Sequence, residues 1–222
     1  MGTRTVEDAH AVVMDVVRSR ELVQLGEAMA HAGRVATTEL VERGHATSAA
    51  QTVGDELQAA YVGVAPARVV ADVARLRLAL RASVRDGAPS VELRFGIGAG
   101  VLVGDPADAA APAQSGTAWW RARAAIEVAA SRRNGWPDQR WWYDAATPSA
   151  TLHATLILVD TLLPGMDADD CWAATSLLDG MAASDVAHGL QRSASAMSRR
   201  LHGRGVYGLV RALEQLEGAD RG

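Results

Sequence analysis

Two β-type runs frame the first part of the chain: residues 11–17 are apolar and rich in valine, and residues 91–103 alternate glycine with valine, leucine, phenylalanine and isoleucine. Between them, residues 47–53, the pair Gly54-Asp55 and residues 57–61 read as a hairpin closed by a tight turn, which makes neighbouring strands antiparallel. Apolar residues fall at helical spacing over residues 21–43, over residues 66–85 with Val69, Val70, Val73, Leu76 and Leu80, and over residues 117–130. The order strand, helix, hairpin, helix, strand, helix predicts an α+β domain whose antiparallel sheet is covered by helices on one face. Residues 104–116, dense in Ala, Pro and Asp, read as a loop.

Residues 140–143 form a plausible short strand, and at Thr147-Pro148 the character changes. Helices are expected near residues 149–163, 168–180, 184–190, 194–203 and 206–217, punctuated by Pro164-Gly165 and Gly180. The expected organisation is an α+β domain over residues 1–147 and an all-α domain over residues 148–222. A chain of 222 residues, 49% of them apolar, can bury a core of that size.

All 22 basic residues are arginine, which excludes Schiff-base chemistry, a P-loop lysine and a pyridoxal anchor. The single cysteine, Cys171, has no intrachain partner, and no His/Cys spacing suits zinc. A reduced, cytoplasmic location is expected. The longest apolar run, residues 152–163, is interrupted by His153 and Asp160 and is too short for a membrane span. Residues 1–12 carry no visible targeting signal. Gly96-Ile97-Gly98-Ala99-Gly100 is no dinucleotide fingerprint, because Val101-Leu102-Val103 continues a strand where a helix should open.

Charge is segregated near the end of the chain. Residues 151–182 hold five aspartates and no arginine, whereas residues 185–211 hold five arginines against a single acid, Asp185. Residues 183–201, ASDVAHGLQRSASAMSRRL, place Val186, Ala187, Leu190, Met197 and Leu201 where a helix-turn-helix packs its two helices, with Ser184 and Ser193 able to cap them. Arg192, Ser193, Ser195, Ser198, Arg199, His202 and Arg204 then face outward, a composition suited to the major groove of double-stranded DNA. An ordinary helical hairpin with solvated arginines is the plainer reading, and Gln191 stands where the turn glycine is usual.

Two carboxylates in the first domain call for a reason. Asp15 lies inside the apolar run of VMDVVRSREL, and Asp55 lies at the hairpin turn of TVGDELQAAY. A carboxylate at a strand end beside one at a hairpin tip can hold Mg²⁺, which bridges nucleotide phosphates. Alternatively, Asp15 caps the following helix and Asp55 only makes the turn. The pairs Trp119-Trp120 and Trp141-Trp142 can stack on a base, but adjacent aromatics point in different directions and suit a core or an interface.

Read with the two aspartate motifs, LRFGIGAG from Leu93 and GTAWWRARAAIE from Gly116 give a chain that resembles the SatD family of bacterial proteins, which in turn look like relatives of class III nucleotidyl cyclases. The resemblance covers most of the chain, since many SatD-like proteins also end in a helix-turn-helix. It implies a ferredoxin-like, cyclase-like palm followed by the all-α helix-turn-helix domain. By motif, Asp15 and Asp55 match the metal-binding aspartates, and Val16, Val17, Arg18 and Ser19 match the loop whose amides cradle phosphates, with Arg18 at the cyclases' glycine. Gln51, three residues before Gly54, replaces the base-reading lysine. The cyclases' asparagine and arginine fall on Arg121 and Ala125. An arginine on the developing phosphate charge contributes about 10³ to 10⁵ in rate in related chemistry, so Ala125 argues against turnover unless Arg121 or Arg123 substitutes.

The resulting expectation is a transcription regulator, a homodimer that binds DNA in response to a purine nucleotide held with Mg²⁺. Two recognition helices about 34–36 Å apart match a palindrome. The rival is a Mg²⁺-dependent nucleotidyl cyclase or nucleotide hydrolase whose C-terminal helices form an interaction module.

Overall fold

The computed structural model describes residues 4–22, 24–52, 54–107, 114–131 and 139–218. Its first part comprises β1 (Thr5–Val16), α1 (Leu25–Ala36), β2 (Ser48–Gln51), β3 (Glu56–Val62), α2 (Pro66–Ala82), β4 (Leu93–Val103), α3 (Thr117–Ala130) and β5 (Trp141–Asp144). One sheet carries the strands in the order β2-β3-β1-β4-β5, with β1 antiparallel to both β3 and β4. The first four strands thus have the ferredoxin-like order, and the fold is α+β. The edge strand β5 runs parallel to β4, which the all-antiparallel expectation did not include. A parallel neighbour needs a crossover, and α3 supplies it.

Helices cover both faces of the sheet rather than one. Val12, Met14 and Val16 of β1 pack with α1 and α2, while Ala9, Ala11 and Val13 pack with Ala118, Trp119, Ala122 and Ile126 of α3. The reason is visible in β1: Ala11, Val12, Val13 and Met14 are all fully buried, and an uninterrupted apolar run is what a strand covered on both faces requires. The glycines of β4 serve the same packing. A Cβ on Gly96 would lie 2.1 Å from the Ala122 carbonyl oxygen, and one on Gly98 would lie 2.2 Å from that of Ala118. The strand is bare on that face because the backbone of α3 rests on it.

The helix expected over residues 21–43 is broken up. A 3-10 turn at Ser19–Glu21 precedes α1, and a π-helical turn at Thr37–Glu42 follows it. Beyond that turn the chain bends at Gly44, where a Cβ would meet the Glu39 and Leu40 carbonyl oxygens and Asp72 at 2.6–2.7 Å. Residues 108–113 of the expected loop at residues 104–116 lie outside the described residues.

Five helices follow: α4 (Ala150–Leu162), α5 (Ala168–Leu178), α6 (Ala183–Gly189), α7 (Ala194–Gly203) and α8 (Val206–Gly218). Ser149 caps α4, and Asp167 with Asp170 forms a capping box on α5. Ser193 Oγ accepts from the Ala196 amide at 3.3 Å, as the hydroxyl suggested. Ser184 does not cap α6; Ala182 holds that position, and Ser184 falls in the first turn. Val186, Ala187, Met197 and Leu201 are buried, and Gln191 adopts a left-handed φ of 52° in the turn between α6 and α7. The buried apolar cluster is continuous across residue 147, running from the sheet through α2 to Cys171, Met197, Leu209 and Leu213.

Candidate functional site

Strand parity places the charged residues. Along β1 the odd positions face α3, so Asp15 emerges on that face one residue before the strand ends. Its cross-strand neighbours are Glu56 on β3 and Arg94 on β4. Arg94 Nη1 donates to both Asp15 carboxylate oxygens, at 3.3 and 3.1 Å. From α3, Arg123 forms a two-pronged ion pair with Glu56, its Nη2 donating at 2.7 Å. Gln58 Nε2 and Thr52 Oγ1 also donate to Glu56 Oε1. Asp55 follows the turn at Gly54, whose φ is 70° and whose carbonyl accepts from Gln51 Nε2 at 3.1 Å.

Burial raises the Asp15 carboxyl above the usual carboxylate range; Arg94 opposes this, and the charges of Asp55 and Glu56 reinforce it. The two aspartates singled out in the sequence are therefore electrostatic neighbours at one end of the sheet. Asp15 caps no helix, since the 3-10 turn after it begins with Arg18 at its N-cap, whereas Asp55 does lie with Gly54 in the hairpin turn. Glu56 and Arg94 were not singled out. Their signals were present, Glu56 in following Asp55 and Arg94 in sharing the parity of the β4 glycines.

The structure separates the other expected nucleotide-site residues. Val16 pairs with Leu93 in the sheet, and the Val17 amide donates to the Glu92 carbonyl at 2.9 Å and so is not available. Arg18 has a left-handed φ of 57° and leads into the 3-10 turn at Ser19, and the amides of both make no hydrogen bond with the described residues. Successive amides in such a turn form an anion-binding concavity. Arg123 lies at the carboxylates, but Arg121 donates to the Ala99 carbonyl at 2.6 Å, towards the far end of β4. Ala125, at the cyclases' arginine position, is fully buried against the sheet.

Among the described residues, no group of three His, Cys, Asp or Glu converges on a point that could hold a metal. Mg²⁺ does not require one, because it retains water and takes one or two carboxylates plus substrate phosphates. Asp15 and Asp55 fit that donor set. Arg94 presently supplies the positive charge beside Asp15, so a cation there must displace it.

The expected DNA-contacting residues cluster at the exposed side of α7, with different degrees of commitment. Ser193 uses its hydroxyl as the cap, and His202 Nδ1 donates to the Ser198 carbonyl at 2.9 Å while its ring meets Tyr207 edge-on. Ser195 Oγ lies 3.4 Å from Ser193 Oγ. Arg204 Nη1 donates to the Gly165 carbonyl at 2.5 Å. Arg192 and Arg199 are exposed and form no ion pair with the described residues. Of the tryptophans, Trp141 is buried with Nε1 donating to the Leu156 carbonyl, Trp142 stacks on His153, and Trp120 is 70% exposed.

A second charged cluster lies under the π-helical turn and had no signal in the sequence. Asp72, 2% exposed, accepts from the His45 amide at 2.8 Å and from His45 Nδ1 at 3.2 Å. Arg68 donates to His45 Nε2 at 2.6 Å. Arg43, Arg75, Asp179 and Glu217 line the same cleft of about 540 Å³. Burial pushes the Asp72 carboxyl up to about 6, against the bonds from His45. The fold thus prefers this carboxyl protonated, so stability falls as pH rises through about 6 and is regained as pH is lowered toward 4. On this account wild-type stability should increase relative to Asp72→Asn as pH is lowered from 7 to 4. Urea unfolding of both proteins across that range checks it.

No helix among the described residues is long and apolar enough to cross a membrane. No protein-family model and no curated protein matches the chain. Solved structures do align with it. One is the monomeric guanylyl cyclase domain of the RhoGC fusion protein from the aquatic fungus Blastocladiella emersonii, at 14% identity over 55% of this chain and 77% of that one, with a TM-score of 0.37. Another is the catalytic core of a rhodopsin-guanylyl cyclase with converted specificity, in complex with ATPαS, at 13% identity over 55% and 73%, with a TM-score of 0.35. A third is the adenylyl cyclase CyaB from P. aeruginosa, at 16% identity over 46% and 60%, with a TM-score of 0.34. Each alignment covers only about half of this chain.

Proposed function

We propose that the chain is a Mg²⁺-dependent nucleotide-binding protein acting as a nucleotidyl cyclase or nucleotide hydrolase at the Asp15–Asp55 end of the sheet. The observation that carries this reading is the placing of Asp15, Asp55 and Glu56 with Arg94, paired to Asp15, and Arg123, paired to Glu56, at one end of the ferredoxin-like sheet. Asp15 and Asp55 are the residues to hold the cation, which when bound neutralises phosphate charge. Arg94, released from Asp15, and Arg123 supply further positive charge for a triphosphate, and the free amides of Arg18 and Ser19 add donors for it.

Ala125 had argued for binding without turnover. The position of Arg123 weighs against that, because it brings a guanidinium from α3 to the carboxylates by another route. Incubation with ATP or GTP and Mg²⁺ should yield a cyclic nucleotide or a diphosphate. Arg123→Ala should lower the rate about 10³-fold, the lower end of what an arginine on developing phosphate charge supplies. Absence of product from both nucleotides would remove the enzymatic reading and leave only binding.

A second reading is favoured by Arg192 and Arg199, which are exposed on or beside a serine-capped helix without an ion-pair partner among the described residues. On that reading α6 and α7 are a helix-turn-helix, the protein pairs with a second copy, and the nucleotide controls binding to duplex DNA.

A further inference from the structure

A separate cavity of about 250 Å³ lies between α2, the segment leading into β4 and the start of α5. Arg77, Arg81, Ser90, Glu92 and Ala168 are among its lining residues. The volume falls below the ~300–1,000 Å³ of sites for drug-sized ligands, so it suits a small ion or group rather than a whole nucleotide.

The charges around it do not balance evenly. Arg77 is 8% exposed and is matched by Asp160, with Nη1 2.7 Å from Oδ1 and its guanidinium over the Trp141 ring. Glu92 is bound by Arg140 Nε at 2.8 Å. The acidic residues at the start of α5 are likewise engaged, Asp169 by Arg85 and Asp167 and Asp170 by Arg200. Arg81 has no carboxylate partner among the described residues. Its Nη2 donates to the Met166 carbonyl at 2.8 Å, the guanidinium meets the Cys171 thiol, and its Nε is buried without a hydrogen-bond partner among the described residues.

Ala168 is the first residue of the 11-residue helix α5, and its amide makes no hydrogen bond with the described residues. An unpaired amide in the first turn of a helix attracts negative charge. A half-buried arginine with no carboxylate partner among the described residues, a second, buried arginine, a serine and the first residue of a helix therefore line one small cavity. We propose that this cavity binds a phosphate-type oxyanion, held by Arg81, Arg77, Ser90 and the Ala168 amide. Arg77 and Arg81 come from α2 and the amide from α5, so the bound ion ties the C-terminal helices to the sheet.

The test is thermal unfolding and calorimetric titration of the full chain with inorganic phosphate, methyl phosphate and acetate at matched ionic strength. Saturable stabilisation by phosphate is expected, with acetate at least ten-fold weaker. Equal affinity for methyl phosphate would support a phosphate monoester as the ligand, and binding of inorganic phosphate alone would support the free ion. Arg81→Gln should weaken phosphate binding ten-fold or more. Ala168→Pro is the second variant: Asp167 already has extended backbone, with φ −89° and ψ −176°, and proline at the first helical position removes only the amide donor. It should weaken phosphate binding several-fold with the fold intact. Asp15→Asn should leave phosphate binding unchanged, which separates this site from the nucleotide site. No saturable binding by wild type, or undiminished binding by Ala168→Pro and Arg81→Gln, would overturn the proposal.

Discussion

Gly98→Ala is expected to destabilise the protein by about 3 kcal/mol, the upper end of the usual overpacking cost. The added Cβ would lie 2.2 Å from the Ala118 carbonyl oxygen and 2.3 Å from the Ala122 amide nitrogen. Both are backbone atoms of α3, so no rotamer change relieves the clash. The helix must lift off β4, and the packing of Ala118, Ala122 and Ile126 on the sheet is lost with it. Gly33→Ala provides the contrast. Its Cβ meets only Leu57 Cδ2 at 3.8 Å, so replacing a helix-interior glycine should stabilise by about 0.5–1 kcal/mol. Urea unfolding of the two variants measures both signs in one experiment.

Arg200→Ala should cost a similar amount, about 3–5 kcal/mol. Asp170 is fully buried, and Arg200 Nε donates to it at 2.6 Å while Nη2 donates to both oxygens of Asp167 at 2.7 and 2.5 Å. Removing the arginine leaves a buried carboxylate with only the Asp167 amide at 3.2 Å and Arg204, whose Nε is 3.9 Å away, among the described residues. Asp167 also loses the guanidinium that, with the Asp170 amide, holds its carboxyl below the usual range. The adjacent Arg199 is exposed and unpaired among the described residues, so Arg199→Ala should change stability by less than about 0.5 kcal/mol. On the DNA-binding reading, Arg199→Ala instead weakens duplex binding by about 1–3 kcal/mol if it reaches a base. Thermal melts and a duplex titration of the two variants distinguish the structural arginine from the surface one. A destabilised Arg199→Ala or an unperturbed Arg200→Ala would show that the helix register is wrong.

These two adjacent arginines show what the sequence discloses and what it withholds. The register of α7 was legible from Met197 and Leu201, because burial at helical spacing leaves an apolar trace. That Arg200 turns inward was not, since its partners Asp167 and Asp170 are some thirty residues away and meet it only through tertiary packing. The extent of α3 was legible to the residue. The end of α1 was not, because the apolar spacing of residues 21–43 continues through a π-helical turn that Glu39, Gly44 and Asp72 determine together.

The same division holds at the candidate site. Asp15 and Asp55 stood out locally, as acids in an apolar strand and at a turn. Arg94 and Arg123 are placed by strand register and by the crossing of α3 over the sheet, neither of which a motif encodes. Arg121 and Arg123 looked equivalent in the helix, yet only Arg123 reaches the carboxylates. The cluster around Asp72, assembled from the π-helical turn, α2, α5 and α8, left no trace at all in local sequence.

The central claim is that Asp15 and Asp55 share one cation on behalf of a nucleotide, and calorimetric titration of ATP and GTP with and without Mg²⁺ on wild type, Asp15→Asn and Asp55→Asn tests it directly. Wild type should bind at least one nucleotide only with Mg²⁺, and both variants should lose that binding. Metal-free Asp15→Asn should melt at or above the wild-type temperature, because burial and the charges of Asp55 and Glu56 outweigh Arg94 in disfavouring the ionised carboxyl. Full Mg²⁺-dependent binding by both variants, or failure of wild type to bind either nucleotide, would contradict the account.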